Sequence, residues 1–381
     1  MRSVTFQSLG GAVDVRLPYC QDAEDGLWHS PVREKWGLAP RQRMTPELEE
    51  RLCLNATVAG SFEAGAELAR RWGVPTDDST IHRHIQRAGE RARESEQGRV
   101  RQAAVPARRE EMRKAALGTV GAKDQLLALM GDGWMARERG PAWGAPEGTE
   151  GERAVWREVK SGIVFRVVDA TAEKRARPVL AKAVLHGQGD WDDVGERVRA
   201  EALRRGMDVA KEVLFGADGS PGIWAMKERL FSSAAPCLDF HHAASHVVGA
   251  AKSLHGEATG EAARWADSQL HLLRHGGEDE FRSELSKAAG QAPPGEASET
   301  LRRAANYFDE HKDATRYADL EERGWPIGTG AMESANASAQ NRMKRTGQFW
   351  TGTGKGNMLA LLSAKTTGIW QGCFHHEAVR D

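Results

Sequence analysis

The chain has 381 residues, enough for two or three domains with a sizeable core. Charged residues make up 28%, hydrophobic residues 40%, and the net charge is −1, so no overall basicity indicates nucleic acid, although a local basic patch could bind it. The sequence contains no apolar run of membrane-spanning length, no signal-peptide pattern and no CxxC pair among its four cysteines. These absences exclude a membrane span and a zinc ribbon, and they predict a cytoplasmic protein with reduced thiols.

The N-terminal segment, residues 1–44, begins with a predicted β-hairpin. Apolar residues alternate on both sides of Leu9-Gly10-Gly11, as in two strands joined by a glycine turn. Residues 31–44 are irregular and basic, and Trp28 and Trp36 are expected to anchor them.

Residues 45–97 are predicted to form three helices. Thr45 is a suitable N-cap, Pro46 a suitable first residue, and Gly73-Val-Pro75 separates the second helix from the third. A short glycine-containing turn followed by a basic helix is typical of a helix-turn-helix that reads duplex DNA. An ordinary small helical bundle remains the alternative.

The third helix would place Ile81 and Ile85 inward. The N-terminal part of a recognition helix contacts base edges, where Arg pairs with guanine and Gln with adenine. The residues expected to contact DNA are His82, Arg83, Gln86 and Arg87.

A linker or connecting helix is expected over 98–122, and a change of hydrophobic period then predicts a core over 123–242. The predicted order is three strands, helix, strand, helix and strand, which is a mixed α/β arrangement, α+β overall. The predicted strands cover 125–130, 156–168, 178–185, 209–215 and 235–239. Residues 243–322 show only helical spacing and are expected to form an all-helical insertion. Residues 323–381 complete the core.

The last segment contains a polar helix from about Ala331, with Glu333 in its first turn. One face carries a carboxylate, two amides and a cation, a composition that suits a metal ion held beside a phosphate backbone. The alternative is a solvated helix with a dipole-favoured Glu. The side chains expected to follow the DNA backbone are Asn336, Gln340, Arg342, Lys344 and Arg345.

Asp132 and Asp218 each stand where an apolar strand is predicted to end, directly before a glycine. Ligands collect at the carboxyl ends of strands in open α/β sheets, although Asp-Gly is also a common turn. Together with Glu333 they could form three converging carboxylates, which repel unless cations neutralise them. Oxygen ligands suit magnesium, and two ions could support an in-line displacement at phosphorus.

A second cluster, Asp239, His242 and His246, could share a helix face and bind a softer metal. A structural role at a helix start is the stronger interpretation for Asp239 and His242.

The order of five motifs resembles bacterial insertion-sequence transposases of the ISKra type, which belong to the DDE class with an RNase H-like core. The resemblance covers about residues 1 to 372, and its last motif is the most specific. The motifs are GDG (131–133), WREVKSGIVF (156–165), FGADGSPGIW (215–224), LDFHHAASHV (238–247) and PIGTGAMESANASAQNRMKRTGQFW (326–350).

The resemblance implies that Asp132, Asp218 and Glu333 are the catalytic residues and hold two Mg²⁺ ions, with Mn²⁺ as a substitute. It matches Asp239 and His242 to the family's Asp-x-x-His after the fifth strand, and it implies a helical insertion before the Glu. We expect the substrate to be double-stranded DNA, on which the protein forms a homo-oligomer, expected to be a dimer. The DNA-bound protein would be associated with the nucleoid, and no membrane partner is expected. Relatives often carry a cysteine-rich N-terminal region, of which only Cys20 is present here.

The leading hypothesis is therefore a transposase that cleaves insertion-sequence ends and joins them to target DNA by transesterification. One alternative is a domesticated DNA-binding protein without catalysis that uses residues 46–97. Another is a nuclease that shares the core but does not transfer strands.

Overall fold

A computed structural model describes residues 1–24, 26–36, 38, 42–118, 125–167 and 179–374. Its strands are β1 Arg2–Ser8, β2 Gly11–Leu17, β3 Cys20–Gln21, β4 Trp28–His29, β5 Leu126–Arg139, β6 Ala154–Val167, β7 Val179–Gly187, β8 Glu212–Ala217 and β9 Ala235–Leu238. Its helices are α1 Pro31–Lys35, α2 Pro46–Val58, α3 Phe62–Arg71, α4 Asp78–Ala104, α5 Pro106–Leu117, α6 Trp191–Arg204, α7 Pro221–Leu230, α8 Phe240–His255, α9 Gly260–Arg274, α10 Glu278–Gln291, α11 Glu296–Glu310, α12 Tyr317–Glu322, α13 Gly330–Met343 and α14 Gly352–Thr367.

The central sheet has five strands in the order β7-β6-β5-β8-β9. β6 is antiparallel to both of its neighbours, β5 and β7, whereas β8 and β9 run parallel to β5. Parallel neighbours need a crossover connection, and α6 and α7 supply the helices that precede and follow β8. The predicted α/β class, α+β overall, and the predicted order of strands and helices are confirmed.

Alternate residues of β5 supply two apolar cores, one on each face of the sheet. Ala128 and Met130 pack in the core that includes residues of α8 to α13. Leu127 and Leu129 pack with α6 and α7 on the other face. This period of two is the one that a strand covered on both faces requires.

β5 and β6 continue past the end of β8 as a projecting hairpin, which carries the N-terminal helices. Trp134 and Val159 lie in one apolar cluster with residues of α2, α3, α4 and α14. α4 and α14 approach closely, since a Cβ at Gly89 would overlap the backbone of Asn357. The three helices predicted over 45–97 are therefore packed on the core hairpin rather than separate from it.

Helix α14 also covers the edge strand β7. Ser363 and Thr366 accept hydrogen bonds from the backbone amides of His186 and Val184, both at 2.9 Å. An edge strand with its amides satisfied in this way is protected from pairing with another chain.

Three element bounds differ from the predictions. β5 was predicted to end before Gly131, but it pairs with β6 as far as Arg139, so Asp132 lies within a strand. α4 continues past residue 97, through Gly98, to Ala104, and the first proline after its start is Pro106, which begins α5. Residues 31–35, predicted to be irregular, form α1, whose first residue is Pro31.

The helical interpretation of residues 243–318 is confirmed by α8 to α12. The predicted hairpin is confirmed by β1 and β2, which pair from Arg2 with Leu17 to Ser8 with Gly11. The four cysteines are free, and only Cys20 is exposed. Arg41 of the basic segment 31–44 and the predicted strand ends at Val168 and Pro178 lie outside the described residues. In the part of the chain that the structure describes, no helix combines the length and apolarity needed to cross a membrane.

Candidate active site

Three aspartates follow one another in a row across the parallel part of the sheet. Gly131 on β5 pairs with Ala217 on β8, which in turn pairs with Leu238 on β9. Neighbouring strands lie about 4.8 Å apart, so the residues that follow these three lie side by side where β8 and β9 end. This row of residues is called the edge below. These next residues are Asp132, Asp218 and Asp239.

Asp132 is half-buried and tied to helix α13. The Asn336 side chain donates a hydrogen bond from Nδ2 to Asp132 Oδ2 at 2.6 Å. Burial raises the pKa of Asp132, and so do the negative charges of Asp218 and Glu333, while the hydrogen bond from Asn336 lowers it. Asp218 and Glu333 therefore lie within electrostatic range of Asp132.

Asp218 follows β8 in a turn against which the helical insertion packs. Its Oδ1 accepts from the Ser220 amide at 3.0 Å, and its carbonyl accepts from Trp224 Nε1 at 2.6 Å. A Cβ at Gly219 would overlap the ring of Tyr307 on α11. Because the φ angle of Gly219 is not positive, the close approach of Tyr307, rather than the turn conformation, requires glycine here.

Tyr307 is the main contribution of the insertion to this region. Its hydroxyl is buried without a hydrogen-bond partner, and burial, then the charges of Asp218 and Asp239, raise the pKa of Tyr307. His246 stacks on the Tyr307 ring with 4.1 Å between ring centres, and His311 packs edge-on at 4.9 Å. Sequence reasoning missed Tyr307 and His311, since nothing in the helical spacing of the insertion distinguishes them.

Asp239 fixes the starts of two helices. It is 6% exposed, its Oδ1 accepts from the His241 amide at 2.8 Å at the start of α8, and its Oδ2 accepts from the Thr329 hydroxyl at the start of α13. The amide of Phe240 donates to the carbonyl of Ile327 at 2.9 Å in the same junction. Asp239 therefore positions the helix that carries Glu333.

Glu333 is exposed in the first turn of α13, where the helix dipole favours a carboxylate. His242 is also exposed and packs against His246 at 5.2 Å between ring centres. The structure gives His242 no hydrogen bond to Asp239, because Asp239 is directed to the two helix starts.

The donor set around Asp132 fits magnesium in its chemistry. Among the described residues, no three His, Cys, Asp or Glu side chains are close enough to hold one ion, and this applies to the rival Asp239, His242 and His246 cluster as well. Magnesium needs only one or two carboxylates per ion and completes its shell with water and phosphate oxygens. Asn336 Oδ1 is buried and unpartnered beside Asp132, so an amide oxygen is also free there.

The remaining polar residues predicted to contact DNA, on α13 and directly after it, divide into a buried group and a group that lines an open surface. Arg342 is 3% exposed and donates from Nε to the Ala56 carbonyl at 2.6 Å, so its expected contact with the DNA backbone is replaced by a link to α2. Asn336 is likewise buried, and its contact is Asp132 rather than DNA. Gln340, Lys344 and Arg345 line an open hollow of about 660 Å³ with Asn341 and Thr346.

The predicted DNA-reading residues of α4 also divide. His82 and Arg83 are exposed, in keeping with a surface that could meet DNA. Gln86 is half-buried, and its Oε1 accepts from Asn357 Nδ2 of α14 at 2.9 Å, so this amide oxygen already has a partner within the protein. Arg87 is half-buried, and its charge helps to lower the pKa of Glu49 on α2.

The comparisons with known proteins give a distant relative. No family model matches the chain. The "UPF0236 protein in vanSb 3'region" of Streptococcus gallolyticus is 26% identical over 351 residues, which are 90% of this chain and 68% of that protein. The chain is thus a distant homologue of a UPF0236 protein.

Proposed function

We propose that this protein is a DNA transposase of the DDE class with an RNase H-like core. The observation that carries the proposal is the edge formed by Asp132 and Asp218, with the charge of Glu333 acting on the same site. The sheet order of three antiparallel strands followed by two parallel ones is compatible with the RNase H-like core that the motifs imply.

Asp132, Asp218 and Glu333 would hold Mg²⁺, which would lower the pKa of a bound water and neutralise charge at the reacting phosphorus. The half-buried carboxylate Asp132 has an electrostatic reason to attract a cation, since burial and two neighbouring negative charges destabilise its ionised form. Asn336 orients Asp132 through its amide and leaves an oxygen facing the same region. Asp239 and Thr329 hold α13 so that Glu333 stays beside the edge.

DNA would lie along the exposed side of α13 and across the N-terminal helices. Lys344 and Arg345 are the cations next to the open hollow, and phosphate contacts of this kind position a duplex without reading its sequence. Arg83 and His82 on α4 remain available for contacts with the element's end.

The proposal is tested with duplexes that contain the DNA flanking the gene. Wild-type protein with Mg²⁺ should nick them at one position, and a pre-cut end with a free 3′-hydroxyl should be joined to target DNA. Asp132→Asn should bind the same duplex without nicking it. Undiminished nicking by Asp132→Asn would overturn the assignment, and nicking without joined product would reduce the protein to a nuclease.

A further inference from the structure

A group of exposed aromatic rings and cations lies at the outer end of the β5–β6 hairpin, where neither the catalytic carboxylates nor the N-terminal helices explain it. Trp156 is 54% exposed and Trp143 is 41% exposed. Large exposed aromatic side chains grouped in this way mark interaction sites. The group, here called the aromatic patch, consists of Arg137, Arg139, Trp143, Trp156, Lys344 and Phe349.

The rings and cations of the aromatic patch contact one another. The Arg137 guanidinium lies 5.7 Å from the Trp156 ring centre and 4.9 Å from that of Phe349, and Lys344 Nζ lies 5.9 Å from Trp156. Trp143 contacts Phe349 with 4.7 Å between ring centres, and Arg139 lies over Trp143 at 5.4 Å. Each exposed ring therefore has a positive charge beside it.

The backbone holds this arrangement in place. Arg137 lies opposite Trp156 in the β5–β6 register, so both side chains stand on the same face of the hairpin. Arg137 also donates to the Arg345 carbonyl at 2.9 Å, and the backbone of Trp350 exchanges hydrogen bonds with Arg137 and Arg139. The cations are thus fixed before any ligand arrives, which reduces the entropy lost on binding.

We propose that the aromatic patch binds unpaired nucleotides of DNA, with bases stacked on Trp156 and Trp143 and phosphates near Arg137 and Lys344. Exposed rings interleaved with cations are the features with which proteins hold single strands irrespective of sequence. Glu158, two residues along β6, does not oppose this, because Lys160 pairs with it at 2.6 Å. The loop joining β5 to β6 carries Glu147, Glu150 and Glu152, so a phosphate backbone would approach from the α13 side.

The position of the aromatic patch relates it to the catalytic edge, and in this respect the inference rests on the proposed function. Glu333 lies in the first turn of α13 and Lys344 directly follows its last residue, so the two are about 16 Å apart along the helix axis at 1.5 Å per residue. At 3.4 Å per nucleotide of one duplex strand, this distance corresponds to roughly five nucleotides. The patch would therefore hold bases released from pairing about that far from the cleaved phosphate.

Binding of a short labelled oligothymidylate, followed by fluorescence anisotropy, tests the site without any cleavage. Trp156→Ala should weaken this binding by roughly 5- to 150-fold, the usual loss for one stacked base, and Trp156→Phe should restore most of it. Trp28→Ala is the matched control, since Trp28 is 60% exposed on β4 outside the patch, and it should bind as wild type does. Affinity for a duplex of equal length should change little in all three variants.

Unchanged oligothymidylate binding by Trp156→Ala would overturn the inference, and so would an equal loss on single-stranded and duplex DNA. The two proposals fail separately. If nicking depends on metal but Trp156→Ala leaves oligothymidylate binding unchanged, only the proposal for the aromatic patch is rejected. If binding depends on Trp156 but Asp132→Asn retains full nicking activity, only the catalytic assignment is rejected.

Discussion

Helices α13 and α4 both carry polar and cationic residues, yet the folded chain uses these residues differently. In α13 the buried amide of Asn336 is bonded to Asp132, so a polar residue that faces inward reaches the candidate active site. In α4 the inward polar residues hold the helix in place, since His84 contacts Glu49 at 2.8 Å and Gln86 contacts Asn357. The residue that a buried polar side chain contacts thus decides whether that side chain belongs to the candidate active site or holds its helix against the rest of the protein.

The largest effect that separates the two helices is expected at Glu333 of α13. Loss of a metal-holding carboxylate removes several kcal/mol of transition-state stabilisation, so Glu333→Gln should slow nicking on the order of 10³-fold. DNA binding should remain, because Glu333 is not a cation that contacts phosphate. Gel-based nicking and anisotropy assays measure the two properties separately. Glu322→Gln, an exposed change on α12, is the control and should be fully active.

Asn336→Ala should have the next largest effect. Loss of a partner that orients a metal-holding side chain typically costs about 10- to 100-fold in activity or metal affinity. The hydrogen bond from Asn336 lowers the pKa of Asp132, so its removal should raise that pKa. The acidic limb of the pH–rate profile should therefore move to higher pH, and more Mg²⁺ should be needed.

The control for Asn336 is Asn341→Ala, an exposed change on the same helix, assayed at saturating DNA. If Asn336→Ala kept both the wild-type pH profile and the wild-type Mg²⁺ dependence, Asn336 would be no more than a packing residue.

On α4, Arg83 and Gln86 should now behave differently from each other. Arg83 is exposed, and loss of one base contact should cost about 1–3 kcal/mol on the element's own end and little on scrambled DNA. Gln86→Ala should instead lower thermal stability, because it removes the partner of Asn357. Footprinting and thermal melting of the two variants distinguish these outcomes. A sequence-specific loss in Gln86→Ala would restore Gln86 to the reading surface.

The last effect should be one of stability alone, at the contact between α4 and α14. Gly89→Ala would force a methyl group against the backbone of Asn357 and should lower the free energy of unfolding by about 1–3 kcal/mol. Gly98→Ala on the same helix meets no atom closer than 3.9 Å, and it should stabilise the protein by about 0.5–1 kcal/mol. Urea unfolding of the pair measures the difference, and equal values would show that α4 and α14 do not pack this closely in solution.

Much of the fold could be predicted from local patterns. Capping residues such as Thr45, whose hydroxyl accepts from the Leu48 amide, marked helix starts correctly. Alternation of apolar residues located the N-terminal hairpin and short apolar runs indicated the core strands, but the run that ends at Met130 missed the outer half of β5. That half contains Gly133, Arg137 and Arg139, and a strand paired on one side only needs no continuous apolar run.

The sequence by itself determined the order of the elements, because short-range periodicity and glycine signals encode it, and it singled out Asp132, Asp218 and Glu333 as candidate site residues. Only the tertiary structure decided which polar residues are buried and what they contact. Arg342 bonds to Ala56, Gln86 to Asn357, and Tyr307 packs on Gly219, and each pair is distant in the chain. Helical spacing specifies which residues share a face, but the element packed against that face comes from elsewhere in the sequence, and its contacts decide the role of each side chain.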